Sequence, residues 1–178
     1  MLDARHAILH HVWATGIVLD AARALSSRQL ELTTPGTAGS IAYCLAHIVG
    51  GDQRYLAGLL GRPPDRPLRE SSSPSFDAVE ATHAANRADW VEVLDAELDL
   101  ADWIPNPLAS PQPQQLWERA ATRRWVMLVQ ALHHGADHRT HIASILGAHG
   151  LELPESDVWA YANALGDLRD ELPEARLR

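Results

Sequence analysis

Four stretches of the chain repeat apolar side chains at the spacing of an amphipathic helix, and runs rich in proline, glycine and serine separate them. In the first, over about residues 3–28, Ile8, Val12, Ala14, Ile17, Val18, Ala21, Ala22 and Leu25 recur at helical intervals. "SSRQLELTTPGTAGS" breaks that pattern. A second begins after Thr37 or Ser40, either of which can cap a helix, and runs to about Gly61. "GRPPDRPLRESSSPS" follows as a polar connection. Ser75 can cap a third helix through about Asp99, with Phe76, Val79, His83, Trp90, Val91 and Leu94 on its apolar side. Four prolines in "ADWIPNPLASPQPQQ" exclude a regular helix there. The fourth pattern runs from about Leu116 to Ala148, with Gly150 placed to end it. A short fifth helix is expected within "ELPESDVWAYANALGDLRDEL", with Pro154 near its start, and the tail "PEARLR" is expected to fray. Strand patterns are hard to find. The prediction is an all-α fold, a four-helix bundle with long connecting loops and a short C-terminal helix, forming one domain over residues 1–178.

Composition narrows the function classes. No apolar run is long enough to cross a membrane as a helix, and "MLDARHAILHHVW" puts charge and histidine where a signal peptide needs apolar residues. A cytoplasmic protein with no membrane partner is the expectation. The formal net charge is −8, and all 15 basic residues are arginine. So acidic a chain lacks the footprint of a nucleic-acid binder. Cys44 is the single cysteine, which excludes an internal disulfide and suits a reducing compartment. No nucleophile motif, Gly-rich phosphate loop or Cys-x-x-Cys pair occurs, and no catalytic residue can be named from the sequence.

The chemistry is carried by "QALHHGADHRTHI", which sets four histidines into residues 130–142. Residues i and i+4 of a helix lie one above the other, so His134 and His138 can reach one ion. A competing stripe one position over would use His133, Asp137 and His141. Spacing leaves both open. Two imidazoles do not complete a catalytic metal site, which usually has three protein ligands and an open position. "SIAYCLAHIVGGDQRYL" offers His47 from another helix, in an apolar setting of Ile41, Leu45, Ile48 and Leu56 compatible with a core-facing ring, where a lone histidine is more often a hydrogen-bonded core residue than a ligand.

These segments, in this order, resemble the DinB/YfiT-like family. "HVWATGIVLDAARALSSRQLE" is similar to its first helix through His11, Trp13 and Ala14. "SIAYCLAHIVGGDQRYL" resembles its second, whose ligand histidine falls on His47. "QALHHGADHRTHIASILGAHG" resembles its His-x-x-x-His-Arg segment through His134, His138 and Arg139. "LELPESDVWAYANALG" is similar to its C-terminal pattern through Pro154, Asp157, Trp159 and Tyr161. The chain departs at His133, where relatives often have Asn, and at Thr140-His141, where many have Gly-Gln or Thr-Gln. The resemblance implies a divalent metal held by His47, His134 and His138; nitrogen ligands suit zinc, nickel, copper and iron alike, with zinc the first expectation and nickel the next. It also implies a thiol-dependent S-transferase or detoxifying enzyme, acting on a small electrophile with a low-molecular-weight thiol. Metal-dependent hydrolysis and a non-catalytic, metal-binding or structural bundle, dimeric through an apolar helix face, stand as the alternatives.

Other residues have plainer expectations. Asp52 and Asp137 are the nearby carboxylates that could accept ligand N–H groups. Cys44, three residues before His47, could share its face as a ligand, but reads first as a small buried side chain. His6 and His10 read as a solvated or helix-packing pair, and His149 as a cation at a helix C-terminus. Arg139 is expected either to steer an anionic substrate or to pair with a surface carboxylate. Trp13, Trp90, Trp125 and Trp159 are expected as core or interface aromatics.

Overall fold

The computed structural model of the chain describes residues 4–68 and 73–169. The tail expected to fray, and part of the 61–75 connection, lie outside them. Helix α1 spans Ala4–Arg23 and ends earlier than the apolar spacing predicts. Ser26 starts a separate turn, α2 (Ser27–Leu30), by a reciprocal cap. Its Oγ accepts the Gln29 N–H, while Gln29 Oε1 accepts the Ser26 N–H at 2.9 Å. Helix α3 spans Ile41–Leu60. Of its two candidate caps Ser40 is used, its Oγ accepting the Tyr43 N–H, and Gly61 closes the helix at φ 67° in the left-handed region. Helix α4 (Phe76–Asp95) is capped by Ser75 as expected, but stops short of Asp99 where Ala96 turns extended.

The largest departure precedes helix α5, which spans Arg124–Ala148 and begins well after Leu116. Residues Leu116–Glu118 make only one 3₁₀ turn. Ala121–Arg123 then forms a strand, β2, antiparallel to β1 (Trp103–Pro105), with Ile104 opposite Thr122. Asn106 closes the loop between the strands, its Nδ2 donating to the carbonyls of Trp117 and Arg119 at 2.7 and 2.8 Å. Those carbonyls are thereby withdrawn from any helical ladder. Helix α6 (Val158–Leu165) is capped by Asp157, whose Oδ1 accepts the Ala160 N–H at 2.8 Å.

Helices α1 and α3 each pack against both α4 and α5, so α1 and α3 oppose each other across a diagonal of the bundle. The core divides into two apolar clusters. One gathers Val18, Leu19, Ile41, Leu45, Ile48, Val79, Ile142 and Ile145. The other gathers Ile8, Val12, Leu56, Leu59, Trp90, Met127 and Ala131. In the order of each helix, the buried polar side chains Thr15, Asp52, Asn86, His138 and Arg139 fall between them, and buried His11, beside Val12, joins them through Asp52. A polar layer therefore crosses the bundle between two apolar ones. Among the described residues, no helix is long and apolar enough to cross a membrane.

Candidate metal centre

Helix α5 carries His134 and His138 one turn apart, and α3 presents His47 to them. The three imidazoles form a nearly regular triangle. Ring centroids are 4.8 Å apart for His47 and His134, 4.6 Å for His47 and His138, and 4.6 Å for His134 and His138. One ligand nitrogen from each lies within 4.8 Å of the others. The rings are held from both ends: Tyr43 stacks on His47 at 5.4 Å, and Tyr55 meets His134 edge-on at 5.7 Å. Gly51 makes the approach of α5 possible, since a Cβ there would fall 2.7 Å from His134 Cε1.

The electrostatics suit ligands. Burial, reinforced by His138 and His47 and opposed by Asp52, pushes His134 down to about 3. Burial, reinforced by His47 and His141, pushes His138 down to about 4. Both are thus neutral at neutral pH, the form that binds metal. His134, His138 and His141 also each bury an Nδ1 atom that has no hydrogen-bond partner. Leaving such a nitrogen unsatisfied costs about 1–3 kcal/mol. Three closely placed imidazole nitrogens suit a divalent metal ion.

The competing stripe is split by the fold. His133 and Asp137 are exposed, while His141 turns inward beside His138, with ring centroids 5.3 Å apart. Cys44 is fully buried, and desolvation pushes its thiol up to about 11. Its sulfur and one nitrogen from each of His138 and His141 also lie within 4.8 Å of one another.

Behind the triad lies a network that the spacing did not reveal. His11 is 1% exposed, and its Nε2 donates to both oxygens of Asp52 at 2.9 and 3.1 Å, across the diagonal of the bundle. Its Nδ1 accepts from Arg139 Nη1 at 3.1 Å, and the same guanidinium nitrogen reaches Thr15 Oγ1 at 3.2 Å. Arginine only donates, so this contact fixes the tautomer of His11 with its proton on Nε2. Gly135 provides the space, because a Cβ there would fall 2.5 Å from His11 Nδ1. Arg139 is accordingly a buried brace between α5 and α1, not the surface partner of a carboxylate that the sequence suggested. In the sequence His11 stands out only within the family-like segment; the one signal for its burial is its place between the apolar residues Ile8 and Val12.

The remaining histidines and aromatics sort by environment. His10 packs against Trp13 and Tyr161, and its Nε2 meets the Ser156 carbonyl at 3.0 Å, whereas His6 is exposed. His149 sits at the C-cap of α5, its Nε2 3.1 Å from the Thr33 carbonyl. Trp90 is a core residue, and Trp125 and Trp159 are exposed. A groove of about 680 Å³, lined by Gln53, Leu56, Thr82, Asn86 and Asp89 among others, lies between α3 and α4 and touches none of the three imidazoles.

No curated protein gives a significant match to the chain. The sequence pattern of the DinB superfamily matches residues 10–142, a span that contains His11, His47, Asp52, His134, His138 and Arg139. With most of its length matched and its helices arranged as that resemblance implied, the chain belongs to the DinB superfamily.

Proposed function

We propose that His47, His134 and His138 hold a divalent metal ion, zinc first and nickel next, and that the protein is a metal-dependent enzyme transferring a low-molecular-weight thiol to a small electrophile. The observation that carries this reading is the triangle of imidazoles from α3 and α5, two of them with buried nitrogens that lack any partner. When bound, the ion supplies Lewis acidity that acidifies a coordinated thiol or water. The protein's part is positional. Gly51 and Tyr55 set the plane of His134, Tyr43 sets that of His47, and the packing of α5 on α3 holds the two helices at ligand distance. His47 and His134 are only half-buried, which leaves a small substrate a path to their side of the triangle. Neutral ligands leave the full charge of the ion available to an incoming anion such as a thiolate.

Elemental analysis of tag-free protein beside His47→Ala and His134→Ala variants tests the site. After loading with nickel, about one ion per chain in the wild type, lost in both variants, supports it; equal nickel content in all three overturns it. Loaded protein is then offered a small thiol and a chromogenic electrophile. Turnover that needs the metal but not the thiol would replace transfer by hydrolysis, and no turnover with either would leave a metal-binding bundle.

A further inference from the structure

His138 belongs to two groups of donors. The first is the triangle with His47 and His134; the second joins it to Cys44 and His141. Helical spacing produces this sharing. Cys44 precedes His47 by three residues on α3, and His141 follows His138 by three on α5, so each is a same-surface neighbour of a triangle residue. The two helices pack directly on each other, which brings the sulfur and two nitrogens within 4.8 Å of one another.

The surroundings point to a ligand rather than to filler. A cysteine that only fills space needs apolar neighbours, and Cys44 has them in Ile41, Leu45 and Ile48. It also has two imidazoles within reach, and each of these buries an Nδ1 that meets no hydrogen-bond partner. His138 is itself only 9% exposed. His141 is half-buried, and its ring stands edge-on to His138 at 5.3 Å.

We infer that Cys44, His138 and His141 form a second cation position, one thiolate and two imidazoles, that takes a borderline-soft divalent ion such as zinc, cobalt or cadmium. This goes beyond the three-histidine reading and does not require it. Because His138 serves both positions, they are alternates for one ion. Sulfur draws the more thiophilic ions to Cys44, while the all-nitrogen triangle accepts nickel and zinc, so the two positions sort ions by softness. On binding, the Cys44 S–H bond breaks, a metal–sulfur bond forms and one proton passes to solvent. No oxidation state changes.

Cobalt(II) added to the metal-free, full-length His47→Ala variant under reducing conditions reads the position directly. That substitution removes a ligand of the triangle alone. The expected result is a thiolate-to-cobalt charge-transfer absorption in the near ultraviolet, with one proton released per ion. Both signals should vanish when Cys44→Ser or His141→Ala is added to the same background. Cobalt bound without that absorption, or no cobalt bound, overturns the inference. Circular dichroism checks that each variant is folded. If His47→Ala does not fold, cadmium-113 resonance of the loaded wild type replaces it: a sulfur-ligand shift lost in Cys44→Ser supports the position, and an unchanged resonance overturns it. The three-histidine reading fails separately, when wild type and His47→Ala bind nickel equally.

Discussion

The ring of His134 lies on the backbone of α3 at Gly51, in space that any side chain would occupy. A Cβ at Gly51 would fall 2.7 Å from His134 Cε1 and 3.1 Å from its Nδ1. Gly51→Ala should therefore move His134 out of the triangle without unfolding the chain, since alanine favours a helix by about 1 kcal/mol over glycine. We expect zinc affinity to fall by roughly 10–100-fold, the usual penalty for disturbing a ligand's support. Chelator competition measures the affinity, and a thermal melt of the metal-free protein separates this effect from a general loss of structure.

Two glycines of α5 should respond to alanine with opposite signs. Gly135→Ala drives a methyl group into the His11 ring and toward Arg139, and is expected to destabilise by about 1–3 kcal/mol through overpacking. Gly147 has nothing within 4 Å of its added Cβ, so Gly147→Ala should stabilise by up to about 1 kcal/mol. Urea denaturation of both variants is sufficient; the same sign for both would contradict the packing described around His11.

Acid should weaken the metal-free protein. His134 and His138 titrate near 3 and near 4 when folded, against an ordinary value of 6.5, and burial lowers His83 in the same direction. Below that ordinary value the unfolded chain therefore binds more protons than the folded one. Stability is greatest at neutrality and declines as pH falls from about 6.5 toward the folded values. The groups facing the pair are His47, His141, Asp52, Arg54 and Asp137, of which only the two carboxylates oppose the shift. Melting temperatures from about pH 7 down to pH 4 test this; a flat profile in that range would show that the imidazoles are less buried than described. Zinc should raise the midpoint near neutrality, and the increment should shrink with acid because protons compete for the same nitrogens.

The loop between the strands depends on one amide. Asn106→Ala removes the donors to the Trp117 and Arg119 carbonyls, and a cost of about 1–3 kcal/mol is expected for the carbonyls left without them. Hydrogen exchange should accelerate over residues 116–123, while metal content stays at the wild-type level. Loss of metal along with loop protection would mean that the hairpin supports the site.

How much of this was legible depended on whether a contact is local. His134 and His138 are one helical turn apart, so their convergence follows from period alone, and the caps at Ser40 and Ser75 act within three residues of themselves. His47 needed its apolar setting and the family likeness, because the partner helix is remote in sequence. The segment 116–123 has side chains that a helix accepts; what prevents it is Asn106, ten residues upstream and attached to another strand. The inward turn of His11, beside a His10 that faces α6, is set by the rotation of α1 against its neighbours. No periodicity in residues 4–23 distinguishes the two rings strongly. The burial of Arg139 is hidden for a related reason: an arginine flanked by polar residues looks exposed until the histidine and threonine that accept from it are known.

The polar layer has a consequence for how the helices are aligned. Sliding α1 by one turn along its neighbours would part His11 from Asp52, leaving a buried imidazole without its acceptor or a buried carboxylate without its donor. Either is far costlier than a mismatch among interchangeable leucines and valines. The cluster of His11, Asp52, Thr15 and Arg139 thus acts as an axial index mark. It selects one sliding position out of several that the apolar clusters alone would tolerate, and the distances between the metal-ligand candidates inherit that choice.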